Sequence, residues 1–426
     1  MMPRFSRYGI YFCCGALGAI ALAASAGRAQ AQVGTSELIS DTMARRHGLT
    51  RAWAARVEVD PGRGRVTEIT LHGDALIAVT NAAIIHSFDA ETGRTRWITK
   101  VGRAGNPITP VGAGDKYVAV CNGTTLYVLD RNTGKELFTR PVEGAPSAAP
   151  AVSPDHVYVP TLAGAIEMFK FGPKFPTHFP RAYRGNGTIE EAPVLAGDRL
   201  IWATHSGAVY SVLNDDLTAR FRFMTRGEIT AGLGYWPPFI FAASADGFIY
   251  AINEKTGSRG WQFSTGYPAR EPPVPLDGSL YAISELSGMY CLSADKGLLK
   301  WFTKNVHQFI SASATRLYTV DVIGRLKVLD RASGAPLDVL PTERLAIKVH
   351  NIQTDRVYLG SDTGLIQCLH EIELTKPYVH ANPAEVQPAP PVGTAPAADK
   401  KERPAAAAAP EEPAAADDPF GNAGAP

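Results

Sequence analysis

A unit of about 40 residues recurs eight times along this 426-residue chain, and that period limits the possible folds more than any other feature. Its clearest copy is 239–261. Two runs of strand-forming residues flank Ala245-Asp246-Gly247, a second turn follows at Asn253-Glu254-Lys255-Thr256-Gly257, and Trp261 opens a third strand. Aligned on the residue at the first tip, the copies fall at Ala83, Thr124 (beside Gly123), Gly164, Gly207, Gly247, Gly288, Gly324 and Gly364. A spacing of about 40–45 residues is that of a four-stranded propeller blade. The expected fold class is all-β, an eight-bladed β-propeller of four-stranded blades.

The second turn recurs as Asp89-Ala90-Glu91-Thr92-Gly93, Asp130-Arg131-Asn132-Thr133-Gly134, Ser293-Ala294-Asp295-Lys296-Gly297 and Asp330-Arg331-Ala332-Ser333-Gly334. The leading Asp, Asn or Ser can cap the turn's own amides, so these acids read as structural rather than catalytic or metal-binding. An aromatic follows four of these five turns, at Trp97, Phe138, Trp261 and Trp301, placed to pack the outer strand on the neighbouring blade with its polar handle left free. Pro110, Pro150, Pro193 and Pro273 recur ahead of the tips in the innermost strand, where a missing amide donor is tolerated. The eighth copy, 356–370, has no Thr-Gly turn and no following Trp. Arg51-Ala52-Trp53-Ala54-Ala55-Arg56-Val57 reads as the missing outer strand, supplied from the N-terminal side to close the ring. Before it, 35–48 is expected to hold a short helix capped by Ser36 or Asp41 and stopped by Gly48.

Four domains follow. Residues 1–31 have a basic start (Arg4, Arg7), an apolar run and Ala29-Gln30-Ala31, which describe a secretory signal peptide, with a retained anchor as the alternative. Residues 32–52 form an N-terminal segment, 53–376 the propeller, and 377–426 an Ala/Pro-rich tail with too little apolar surface to fold, expected to be disordered. The expected location is periplasmic or cell envelope, with no integral membrane span once the signal is removed. Cys121, Cys291 and Cys368 are too far apart and odd in number for a disulfide framework and read as buried apolar residues. Lys plus Arg (42) nearly balance Asp plus Glu (41), which does not suggest a nucleic-acid partner.

The tip glycine, Leu126-Tyr127-Val128-Leu129-Asp130, the Thr-Gly turn and the Trp after it resemble the blade signature of the pyrroloquinoline-quinone-type repeat. Eight such blades behind a signal peptide resemble the BamB family of outer-membrane assembly scaffolds, over roughly residues 53–370. That resemblance implies a non-catalytic protein-binding scaffold whose partner is an envelope or outer-membrane assembly protein. The family is commonly lipid-anchored, whereas bulky Ile10-Tyr11-Phe12 precede Cys13 and Cys14 here, against a lipidation signal. The alternative is a quinone- or calcium-binding enzyme or ligand sensor using the propeller channel. Quinoprotein dehydrogenases hold their cofactor against adjacent cysteines and often carry a haem Cys-x-x-Cys-His. The chain after residue 31 has neither, so no cofactor is expected.

Two places are candidates for function. Blade 3 replaces its turn with 170–184, rich in aromatics, prolines and cations, and Lys174, Phe175, His178, Phe179, Arg181, Tyr183 and Arg184 are the candidate protein contacts. The plainer reading is a replacement strand packed on blade 4. Glu190, Glu191, Arg270, Glu271, Lys348 and His350 fall near the start of innermost strands and could ring one mouth of the channel, as a ligand site or simply as solvated rim charges.

Overall fold

The computed structural model describes residues 37–171 and 180–381. The expected signal peptide, the tail beyond 381 and 172–179 of the blade-3 loop lie outside the described residues. Eight four-stranded antiparallel sheets form the blades, and no described helix is long and apolar enough to cross a membrane. Blades 1 to 7 span 66–100, 112–141, 151–184, 194–224, 234–264, 274–304 and 308–340, and each is a simple meander. Blade 8 combines 347–371 with Leu49–Arg56, which pairs antiparallel along Leu365–Glu371 from Leu49↔Glu371 to Arg56↔Leu365. The expected ring closure is therefore present, with the closing strand beginning at Leu49 rather than in the low fifties.

Both faces of each blade are covered by neighbours, so the middle strands read as unbroken apolar runs. Along Ala75–Thr80, Ala75, Ile77 and Val79 pack with Val118 and Val120 of blade 2. Leu76 and Ala78 point the other way, toward Tyr358 and Ile366 of blade 8. The two-residue side-chain period of a strand thus feeds two core layers at once. The core is accordingly a set of eight inter-blade layers rather than one centre.

The inner strands are short, and the prolines sit just ahead of them: Pro150, Pro193 and Pro273 immediately precede Ala151–Val152, Val194–Ala196 and Val274–Leu276. Around the axis the backbones converge closely. A Cβ on Gly112 would lie 1.7 Å from the Pro150 carbonyl oxygen of the next blade, which leaves room only for glycine.

Turns behave as the sequence suggests. Asp89 Oδ1 accepts from the Thr92 amide at 2.9 Å, and Asp130, Asn253 and Asp330 do the same at 2.8, 3.0 and 2.8 Å. The expectation that the following Trp leaves its polar handle free is overturned. The indole N–H of Trp53, Trp97, Trp261 and Trp301 donates to the carbonyls of Ala90, Arg131, Ala294 and Arg331, each in the turn of the next blade, at 2.8–3.2 Å. An indole packed between blades is largely shielded from water, so its N–H finds an acceptor in the neighbouring turn. Its ring lies flat on the turn glycine: a Cβ on Gly134 would meet Trp97 at 2.5 Å.

The N-terminal helix is shorter than expected, spanning Asp41–Arg46 with Ser40 Oγ accepting from the Met43 amide at 3.2 Å. Residues before it are held elsewhere, since the Ile39 amide donates to Gln367 Oε1. Ile39 and Ala44 are buried beside Leu49. Gly48, at φ +70°, ends the helical segment as expected. The expected tail also starts too early. Residues 377–381 are ordered against the ring, with the Tyr378 amide donating to Asp355 Oδ1 at 2.8 Å, because Asp355 and neighbouring loop groups offer them partners.

Loss of one blade-to-blade contact is expected to weaken the whole ring. Trp53→Ala should cost about 3–5 kcal/mol in denaturant unfolding. Gly134→Ala should cost about 1 kcal/mol or more, from its positive φ and the clash with Trp97. Deleting 49–56 should abolish cooperative unfolding.

Candidate functional site

The ring presents two unlike faces. One, the tip face, carries the connections between second and third strands together with the linkers that lead into each next blade; the other, the hairpin face, carries the remaining turns. Among the charged residues expected at the channel mouth, Glu190, Glu191 and His350 line a cavity of about 620 Å³ with Glu68, Thr70 and His72. Lys348 and His350 line an adjoining space of about 630 Å³ that shares Glu68, Thr70 and His72, so the two are lobes of one channel. Arg270 is drawn away, its Nε 2.9 Å from Glu285 on the tip of blade 6. Glu190 lies 3.6 Å from His205, whose other ring nitrogen is 3.4 Å from Glu228.

Glu68 and His72 were not singled out from the sequence, although a signal existed. In Val66–His72, residues 68, 70 and 72 alternate with the buried Ile69 and Leu71, which puts all three on the channel side. Channel residues keep some contact with water yet are surrounded by protein. That desolvation, and then the charge of Glu191, pushes the Glu68 carboxyl up to about 7. Glu191 is likewise raised to about 7, by desolvation first and then by Glu190 and Glu271. Glu271 is raised by desolvation, with His307 opposing. Desolvation lowers Lys348 to about 8, and its ammonium donates to the Thr342 and Leu345 carbonyls. His72 is lowered to about 4 by desolvation and then by Arg131, and His350 is lowered by desolvation.

Chemically, the channel is a partly dry space in which two carboxyls titrate near neutrality and two imidazoles remain unprotonated, a setting able to take up or release protons around a small bound molecule. No group of three or more His, Cys, Asp or Glu placed to hold a metal occurs among the described residues. Among the described residues Cys121, Cys291 and Cys368 are buried; burial pushes the Cys121 thiol up to about 12, the Cys291 thiol to about 11 and the Cys368 thiol higher still, which removes them as nucleophiles at neutral pH.

Of the candidate contacts on blade 3, Lys174, Phe175, His178 and Phe179 lie outside the described residues. Arg181, Tyr183 and Arg184 belong to the outer strand Arg181–Arg184, which pairs with Ala165–Met168. Tyr183 is half-buried and meets Trp202 and Tyr210 of blade 4 edge-on, at centroid distances of 5.5 and 6.1 Å. It contributes to the seam between blades, while Arg181 and Arg184 are exposed.

A raised carboxyl favours the folded state at acid pH, and that contribution disappears as pH rises through the folded value. Glu68 and Glu191 should therefore cost stability between about pH 4.5 and pH 7. Glu68→Gln and Glu191→Gln are expected to raise the thermal midpoint at pH 8 and leave it unchanged at pH 4, as measured by thermal unfolding across pH.

A family model described as outer membrane protein assembly factor BamB matches residues 81–171 and 187–344, more than half of the chain. No curated protein matches. Among solved structures, BamB from Moraxella catarrhalis superposes with a TM-score of 0.60 at 16% identity, covering 76% of this chain and 99% of that one. A computationally designed protein, Ika8, superposes with a TM-score of 0.59 at 15% identity, covering 73% of this chain and 98% of that one. At such identities the superpositions speak for the propeller fold alone, whereas the extent of the sequence match assigns the chain to the BamB outer membrane protein assembly factor family.

Proposed function

We propose that the chain is a non-catalytic protein-binding scaffold of the cell envelope, exported by its N-terminal signal, which docks a component of outer-membrane protein assembly on its tip face. The observation that carries this reading is where large apolar side chains remain exposed. More than half of those among the described residues fall between 265 and 340, in blades 6 and 7. Tyr267, Leu286, Val322 and Ile323 all fall in tip-face connections there, Leu286 at 76% and Val322 at 74% relative exposure. Leu286 follows Glu285, whose amide donates to the Pro268 carbonyl, so the tip of blade 6 and the linker bearing Tyr267 form one surface. A ring that exposes several large apolar side chains on one face of two neighbouring blades suits the docking of another protein. The blade-3 loop, with Lys174, Phe175, His178, Phe179, Arg181 and Arg184, is the second proposed contact.

Membership in the BamB family supports the choice of partner. The channel supports a different reading, a sensor of a small ligand, through its two carboxyls titrating near 7.

The two readings are separated by capture from envelope extract with residues 32–426 as bait. A β-barrel assembly protein identified by mass spectrometry should be retained by the native chain. Recovery should fall at least tenfold, about 1.4 kcal/mol, when Tyr267, Leu286, Val322 and Ile323 are all changed to Ser. Because these side chains are exposed, the variant should keep its thermal midpoint within a few degrees. Unchanged recovery removes the tip face as the contact. Failure to retain any assembly protein, with a small molecule released on denaturing the purified chain, favours the channel.

A further inference from the structure

Beyond its last strand the chain does not leave the ring at once. Residues 374–381 cross the hairpin face from blade 8 past blade 7 to blade 6. Arg356, almost completely buried, donates to the Leu374 and Thr375 carbonyls at 3.1 Å while facing Asp355 and Glu91. The next stretch lies against 353–355 through an isolated antiparallel bridge. The Asp355 amide donates to the Tyr378 carbonyl, the His380 amide donates to the Gln353 carbonyl at 2.9 Å, and Thr354 bridges Val379. At the far end His380 is buried, with Nδ1 2.8 Å from Asp277 Oδ2 and Nε2 2.8 Å from the Ala312 carbonyl oxygen. Asp277 Oδ1 accepts from the Ala381 amide at 3.1 Å.

Both ring nitrogens of His380 thus lie within hydrogen-bond distance of an acceptor, which fixes the ring at two points. Asp277 is arranged to hold this side chain. Burial alone would raise its carboxyl, but hydrogen bonds from Arg331 and His380 outweigh burial and hold it below the usual range. The corresponding turn of blade 1 carries Asp74, which takes Arg96 and Arg131 at 2.7 Å and no strap. In blade 6 the equivalent carboxylate keeps one arginine, Arg331, and its second partner is His380 of the strap.

We propose that 374–381 occupies a peptide-docking groove on the hairpin face, formed by Asp277, Ala312, Gln353, Thr354 and Asp355, which takes an extended segment by main-chain pairing and selects a histidine side chain through Asp277 and the Ala312 carbonyl. The chain fills this groove with its own strap, and a segment of the same chemistry displaces it. Main-chain hydrogen bonds supply attachment, and the paired acceptors read the side chain. This groove is independent of the tip-face docking proposed above.

The test uses the full chain. In hydrogen exchange, the amides of Asp355, Tyr378, His380 and Ala381 should be protected in the native protein. His380→Ala, and separately Asp277→Asn, should accelerate their exchange by about tenfold or more, while the middle strands of blades 6 and 7 stay protected. Lys376→Ala, at an exposed position, should change neither. A synthetic peptide of residues 374–384 should then bind the His380→Ala chain one to one. It should bind at least about tenfold more weakly to the native chain, whose strap competes at high effective concentration, and to the His380→Ala, Asp277→Asn double variant. Unaltered strap protection in both single variants, or peptide binding indifferent to Asp277, overturns the proposal.

Discussion

The pairing of Leu49–Arg56 with Leu365–Glu371 is the constraint on which the other contacts of the ring depend. A propeller blade buries both faces against neighbours, so an open ring would leave two blades each with an uncovered apolar face and blade 8 with an exposed strand edge. Joining the two ends of the propeller segment in one sheet removes these defects together. It also makes the closing blade the only one built from two distant stretches of sequence, which ties the stability of every layer to a contact spanning more than 300 residues.

Each seam between blades reuses a small set of interactions, and the closing seam inverts one of them. In blades 2 and 7 the second residue of the turn, Arg131 or Arg331, reaches back to Asp74 or Asp277 of the preceding blade at 2.7 and 2.8 Å. In blade 1 that position is Ala90, and Glu91 beside it accepts from Arg356 of blade 8 at 3.2 Å instead. The charge pair survives with its partners exchanged between blades. Arg356 can be buried there because Asp355, Glu91 and two carbonyls satisfy its donors; an unpaired guanidinium in that position would be costly.

The same construction gives the two faces different properties. On the hairpin face, turns, arginines and the strap satisfy one another. On the tip face the connections of blades 6 and 7 leave Leu286, Val322 and Ile323 exposed, and the channel between the faces concentrates carboxyls in a setting that raises them toward neutrality.

Period, turn chemistry and the missing outer strand of the eighth copy were sufficient to read the eight-bladed all-β ring and its closure from sequence, because each is local: a side chain capping its own turn, a two-residue alternation, a repeat of about 40 residues. The candidate site was legible only in part. Glu190, Glu191, Lys348 and His350 were found by their place ahead of or within inner strands, while Glu68 and His72 lay unnoticed within an ordinary alternating strand and Arg270 turned to Glu285. The carbonyl partners of the indoles, the burial of Arg356 and the capture of His380 by Asp277 could not be read at all. Each joins residues more than 15 positions apart, and their meeting depends on how the ring brings one blade, or the strap, against another.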